Sequence, residues 1–369
     1  MTMNHIPNKH DTEIKSAEFQ GTVSRGTVSK GAEFQNPENT QLKKKWLNSI
    51  LSAAKWIIAI TILWFMISTG RLDIKGVLKA AGSIHFLIAL ILVLTNALLT
   101  SLRWNLCLKA MGVQESFWST FEYSMVGLFF NSFMPGAIGG DIVKGYLIAQ
   151  NSKGKARAIT SVVVDRIFGL TAILLLGFIA LAINPLTAKS PELKTLTILS
   201  GLMLLCMVAF FLLSALVSRE NRILKAIFDK VPMGSSLMEA YIGMNALARS
   251  WKAMTLTMII SLAVITSSVS GYIILARGAG VNESVGLFFS CVPIGFIAIV
   301  LPISPAGLGV GQGAYFNLFT WHGMAGKVGA EVFTLFQLAT LLAGIVGLIF
   351  YLILRKRVDR ALNAARDDS

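Results

Sequence analysis

Charge and cysteine are both scarce in this chain. Only 14% of its 369 residues are Asp, Glu, Lys or Arg, against 54% that are hydrophobic. So little charge excludes intrinsic disorder for the bulk of the chain, and the long uncharged runs argue for an all-α, multi-span helical membrane protein. The three cysteines, Cys107, Cys206 and Cys291, lie far apart in or beside apolar runs. No CxxC pair exists, so neither a disulfide framework nor a zinc site is expected, and the cysteines read as packing residues. The four histidines do not cluster: His5 and His10 fall in the N-terminal tail, and His85 and His322 flank apolar runs. HExxH, GxSxG and DDxxD are missing too, and GAIGGD lacks the GK[ST] ending of a phosphate loop. No catalytic residue, metal or cofactor is expected, and the chain is not expected to be an enzyme.

The charge that is present is lopsided. Lys and Arg number 33 against 19 Asp and Glu, a formal +14. In a soluble chain this balance would suggest nucleic acid. Here the basic residues cluster between apolar runs, which suits cytoplasmic loops against anionic lipid headgroups, with no nucleic-acid partner. Lys43, Lys44 and Lys45 precede the first apolar run at 46–69, and Arg355, Lys356, Arg357 and Arg360 follow the last at 332–354. Between them lie spans at 84–107, 158–183, 193–217 and 254–276. Residues 1–41 are a polar tail in which AEFQ and GTVS each occur twice; the echo is too short for a solenoid, and no secretory signal is present. The expected membrane domain covers 42–360, with 361–369 a short cytoplasmic tail. Within it, 218–252 carries Arg219, Arg222, Lys225, Lys230, Arg249 and Lys252, with apolar residues at helical spacing (Ile223, Ile227, Leu237, Tyr241, Met244, Leu247). This stretch reads either as an amphipathic helix along the cytoplasmic surface or as a solvated connector packed on the bundle.

Two further apolar segments are short and punctured: FFNSFMPGAIGGDIVKGYLIAQ at 129–150 and LPISPAGLGVGQG at 301–313. Unsatisfied backbone in lipid costs several kcal/mol per group, so such breaks must be buried in protein or line a wet cavity. The breaks fall at Pro135, Gly136, Gly139 and Gly140, and at Pro302, Pro305, Gly307 and Gly309. Six full spans with two re-entrant hairpins keep both termini and the basic cluster at 144–157 in the cytoplasm. Counting every apolar run as a crossing gives about eight spans and strands that cluster outside. Hairpins entering from opposite sides point to an inverted-repeat transporter whose breaks face each other at a midplane site.

Several polar residues around the breaks are candidates for binding a substrate. Asp141 opens a helix after Gly139-Gly140, where it caps free amides or pairs with a substrate cation or a buried Arg. Lys144, three residues on, is placed to neutralise Asp141 locally. Asp165 and Arg166 are adjacent in a helix, point in different directions, and so require separate partners. Arg166 reads as a holder of a lipid phosphate or as an ordinary interfacial Arg. Asn131 is placed to satisfy carbonyls freed by Pro135. The glycines at 307–313 either offer amides to an anionic headgroup or permit tight helix crossing, and Gln312 bonds a headgroup or its own loop. Arg103, beside Trp104 at the end of a span, reads as an interfacial arginine that snorkels.

NSFMPGAIGGDIVKGY, VVVDRIFGL and PISPAGLGVGQG, in that order and spacing, resemble the membrane region of lysylphosphatidylglycerol synthase and its flippase-like relatives. The resemblance runs over residues 46–354 and matches Asn131, Pro135, Gly136, Gly139, Gly140 and Asp141, then Arg166, then Pro302, Pro305, Gly307, Leu308 and Gly309. Asp165 stands where the family usually has Glu, and Gly311-Gln312 where an acidic residue tends to follow GLGV. The resemblance implies an inner-membrane protein of a bacterium or archaeon that moves a phospholipid or lipid-linked glycan between leaflets. The alternative is an accessory or catalytic membrane subunit in lipid or cell-envelope glycan synthesis, whose enzymes then become candidate partners, as does a second copy of the chain. With no aminoacyl-transferase segment after the last span, a short family member without lysyl transfer is expected.

Overall fold

A chain segment in hydrocarbon must satisfy its own backbone, which a helix does with bonds internal to the segment. In the computed structural model, residues 57, 60–133, 139–152, 154–217, 234–300 and 304–367 are described, all within the compact unit Ser49–Ser369. Every regular element among them is helical. Pro135, Gly136, Pro302, the tail 1–41 and residues 218–233 of the connector lie outside the described residues.

Residues 60–68 are helical and continue the first expected span. They lead to α1 (Ile74–Ala81), whose N-cap Asp73 accepts a hydrogen bond from the Gly76 amide. That bond, with Lys327 3.8 Å away, holds the Asp73 carboxyl below its usual range. The helices that follow are α2 (Ile84–Ala110), α3 (Phe117–Phe133), α4 (Gly139–Asn151), α5 (Lys155–Ile183), α6 (Pro191–Leu216), α7 (Gly234–Arg249), α8 (Trp251–Gly278), α9 (Val285–Val300), α10 (Val310–Trp321) and α11 (Gly326–Asp367). Five of them, α2, α5, α6, α8 and α11, are long and apolar enough to cross a membrane; they coincide with the spans expected after the first. The last helix runs on to Asp367, past the expected end of its span at 354. The described half of the connector, α7, packs on α5 and α6. Tyr241 Oη and Asn245 Nδ2 both donate to the Val217 carbonyl, which ties α7 to the bundle.

The short helices form two hairpins. At ~1.5 Å rise per residue, α3 with 17 residues spans ~25 Å, less than the ~30 Å hydrocarbon core. It folds back on α4: a Cβ at Gly140 would land on the Gly127 carbonyl oxygen, and one at Gly127 would meet Lys144 Cγ at 2.7 Å. The absence of side chains at these two positions is what lets the backbones close. The second hairpin pairs α9 with α10, with Tyr315 Oη donating to the Val292 carbonyl at 3.0 Å. Its break turns through left-handed backbone at Ala306 and Gly307, with φ of 48° and 74°. For Ala306 that conformation carries strain, which the Gln337 Nε2 bond to its carbonyl at 2.7 Å offsets.

The two halves are built alike. Exchanging α2 with α8, α3 with α9, α4 with α10 and α5 with α11 leaves the principal packing among these helices unchanged. α2 and α8 run antiparallel, since His85 meets Gly278, Asn96 meets Ser268 and Arg103 meets Ser261. The repeat is therefore inverted. The mouth of the α9–α10 hairpin lies at the end of the bundle where Asn184 bonds Ser290 and Lys327 meets Asp73. The mouth of the α3–α4 hairpin lies at the opposite end, where Arg157 packs on Gly112 and Gly243 and pairs with Glu239.

Candidate functional site

The site begins with the first hairpin. Asn131 near the end of α3 accepts a hydrogen bond from the Gly140 amide at 2.8 Å, bridging the break. The expectation for Asn131 was a bond to a freed carbonyl. Pro135 lies outside the described residues; what the structure shows is the side-chain oxygen of Asn131 taking an amide of the first turn of α4, where N–H groups have no helical acceptors. The bridge holds α4 so that Asp141 and Lys144 turn toward α5 and α2. Asp141 takes a bidentate grip from Arg166 of α5, with Nε to Oδ2 at 2.7 Å and Nη2 to Oδ1 at 2.9 Å.

One residue earlier on α5, Asp165 points into the bundle and is 2% exposed. Arg103 of α2 holds both of its oxygens, Nε to Oδ1 at 2.7 Å and Nη2 to Oδ2 at 3.1 Å, and also reaches Ser261 Oγ of α8 at 3.3 Å. Arg103 is thus buried, not snorkelling, and it is the site residue the sequence reading missed. The signal for it was there: Asp165 at membrane depth requires a cation, and Arg103 is a cation inside another expected span. Lys144 also departs from expectation. Its Nζ lies 3.9 Å from Asp165 Oδ2 and 4.2 Å from the Trp104 ring centroid, and its direct ion pair is not with Asp141. Trp104 is fixed in turn by its Nε1 bond to Ser161 Oγ at 3.0 Å.

These side chains line a cavity of about 270 Å³. Asn131, Asp141, Lys144, Asp165, Arg166 and Arg103 all reach it, with Asn96, Ser124 and Ser268 adding polar atoms. Beside it, between α5 and α8, lies a mostly apolar cleft of about 550 Å³ walled by Ile167, Leu170, Val264 and Ile265 among others. The two spaces share Thr100, Arg103, Asp141, Arg166, Ser268 and Phe296. A polar chamber and an apolar slot therefore meet at the ion pairs.

The second hairpin does not bring its polar groups there. Gln312 accepts from the Gly309 amide at 2.7 Å and donates to Gln337 Oε1 at 3.1 Å. It is fully buried and lines neither space, so its amide is spent on its own loop and on α11. Gly309 has its amide taken by this bond, and Gly311 is pressed on Phe333, which leaves tight crossing as the role of that glycine. Among the described residues of this hairpin only α9 contributes, through Phe296 and, in the cleft, Val300, while α8 and α11 of the same half line the chamber with Ser268, Phe336 and Thr340. Among the described residues, the polar groups that a hairpin brings to the chamber are Ser124, Asn131, Asp141 and Lys144 of the first; the second adds none.

The internal repeat explains the difference. Asp141 bonds Arg166 across 25 residues, and Gln312 bonds Gln337 across the same 25. Three residues after each, Lys144 lies over Trp104 of α2, while Tyr315 stacks on Tyr272 of α8 at 5.1 Å. Tyr272 also meets Phe336, the residue before Gln337, at 4.6 Å. The charged cluster of the first half is an aromatic cluster in the second.

An inverted repeat of broken helices around a charged internal chamber defines a polytopic integral membrane protein. The chain belongs to the lysylphosphatidylglycerol synthase TM region family, whose model matches residues 52–363. It is 24% identical over 318 residues to a UPF0104 membrane protein of Methanocaldococcus jannaschii, covering 81% of this chain and 93% of that protein. It is 25% identical over 170 residues to a UPF0104 membrane protein of Pyrococcus horikoshii, covering 45% of this chain and half of the relative's length.

Proposed function

We propose that this protein moves a phospholipid or lipid-linked glycan between the leaflets of an inner membrane, without covalent chemistry of its own. The observation that carries this reading is the joining of a charged chamber to an apolar cleft through shared walls. An amphiphile needs such a pair of spaces: the headgroup enters the chamber and the acyl chains stay in the cleft or in the bilayer beyond it. The inverted repeat supplies the means for alternating access, by rocking one half against the other about the fixed site. Both termini face the cytoplasm in this reading, where the basic clusters at 43–45 and 355–360 meet anionic lipid.

The test is leaflet translocation of fluorescent lipid by the purified chain in proteoliposomes. Arg166→Ala and Asp141→Ala are expected to lose translocation while unfolding at temperatures close to the parent's. Undiminished translocation by both variants discards the site. Conversion of lipid to a new chemical species by the purified chain alone would instead favour a catalytic role in lipid or glycan synthesis.

A further inference from the structure

The chamber is not electrically balanced. Among the described residues its ionisable walls are Arg103, Lys144 and Arg166 on one side and Asp141 and Asp165 on the other, three cations against two carboxylates. Residues 134–138 and 301–303, which adjoin α4 and α9 in the sequence, contain no ionisable side chain. Each carboxylate is already held at both oxygens by an arginine. Lys144 has no carboxylate of its own. Its side chain makes no hydrogen bond among the described residues, is 5% exposed, and stands 3.9 Å from an oxygen that Arg103 already holds. The Trp104 face compensates only in part, because a cation–π contact is weaker than a full ion pair. A buried charge that must share its counter-charge with an arginine is costly at membrane depth. The chamber therefore suits an occupant that brings one negative charge.

We propose that the occupant is the phosphate of an anionic lipid, neutralised by Lys144 with help from Arg166. Arg166 is 52% exposed in its side chain and stands on the wall shared with the apolar cleft, so a headgroup passes it on entering while its acyl chains remain in the cleft. A phosphodiester carries one negative charge and cancels the surplus. A zwitterionic head leaves the surplus in place, and a cationic head adds to it. This inference names the substrate class for the transport reading and rests on that reading for movement, though not for binding.

Purified full-length chain in phosphatidylcholine nanodiscs provides the test, with binding followed by native mass spectrometry. The probes are phosphatidylglycerol, a diacyl trimethylammonium lipid and inorganic phosphate. Phosphatidylglycerol is expected to outcompete the host lipid by roughly tenfold or more, the scale of one charge-assisted hydrogen bond. The cationic lipid should be excluded, and inorganic phosphate should compete poorly. Lys144→Gln should erase the preference. Asp141→Asn, which raises the surplus, should keep or increase it; this second variant serves if Lys144→Gln does not fold. No preference in the parent, a preference surviving Lys144→Gln, or one falling in Asp141→Asn overturns the proposal. Inorganic phosphate competing as well as the lipid overturns the lipid assignment. Translocation of the same lipids in proteoliposomes separates the two ideas. Movement indifferent to head charge sinks the charge proposal and leaves transport standing, whereas selective anionic binding with no movement of any lipid does the reverse.

Discussion

Asp165 is the residue on which the charged cluster turns. It is shared between the Arg103 fork and the Lys144 ammonium, all three nearly out of contact with solvent. Removing its charge strands two cations, so Asp165→Asn should destabilise the protein by about 3–5 kcal/mol, the cost of breaking a buried pair from one side. Thermal unfolding in detergent reads this directly. The double variant Arg103→Met with Asp165→Leu removes one of the two stranded cations and should recover part of that loss, because paired apolar replacement of a buried ion pair is close to neutral while Lys144 still lacks its carboxylate. Recovery no better than for the single variant would mean that the pair does more than balance charge. At this scale much of the site was legible: Asp141, Lys144, Asp165 and Arg166 stand out as charges in apolar sequence. Their pairing was not legible. Asp141 and Lys144 are neighbours on one helix face, yet their ion-pair partners lie on α5, and Arg103 is 62 residues away from Asp165. Partners at that distance are set by helix packing, which no local pattern records.

The hairpins are the elements that carry the asymmetry. In α3–α4 the closure depends on Gly127 and Gly140, whose backbones touch where any side chain would intrude. Gly140→Ala should therefore cost about 1–3 kcal/mol through overpacking, and translocation should fall with it, since Asp141 and Lys144 ride on the displaced helix. Unchanged melting and transport would show that the hairpin can open freely. In α9–α10 the closure depends on amides. Gln312→Leu leaves the Gly309 N–H and Gln337 short of partners and should cost about 1–3 kcal/mol. Lipid selectivity should be unaltered, because Gln312 does not reach the chamber. A change in selectivity would return Gln312 to the site. The sequence makes the two breaks look equivalent, with Pro and clustered Gly in both. What separates them is the residue bonded 25 positions downstream, Arg166 in one half and Gln337 in the other, and that difference is visible in the sequence only once the spacing is known.

At the scale of the whole molecule, hydropathy gave the spans and the positive-inside tendency gave an orientation, and the inverted repeat makes that orientation testable. α2 and α8 are antiparallel partners across the repeat, so the loops that follow them must open on opposite faces of the bundle. Lys155, at the mouth of the first hairpin, and Ala279, at the mouth of the second, are both exposed. Neither touches the chamber, so cysteine at either position should leave transport intact. With the exposed Cys206 replaced by serine, Lys155→Cys should react with a membrane-impermeant thiol reagent only from the cytoplasmic side, and Ala279→Cys only from the opposite side. Two labels on one side contradict the antiparallel halves and with them alternating access around a fixed site. Opposite labels with the sides reversed preserve the repeat but turn the molecule over, placing the basic clusters at 43–45 and 355–360 away from the anionic cytoplasmic leaflet. That result would require some force other than lysine and arginine to orient the chain, because the residues around Lys155 and both ends of the membrane domain carry the same sign of charge.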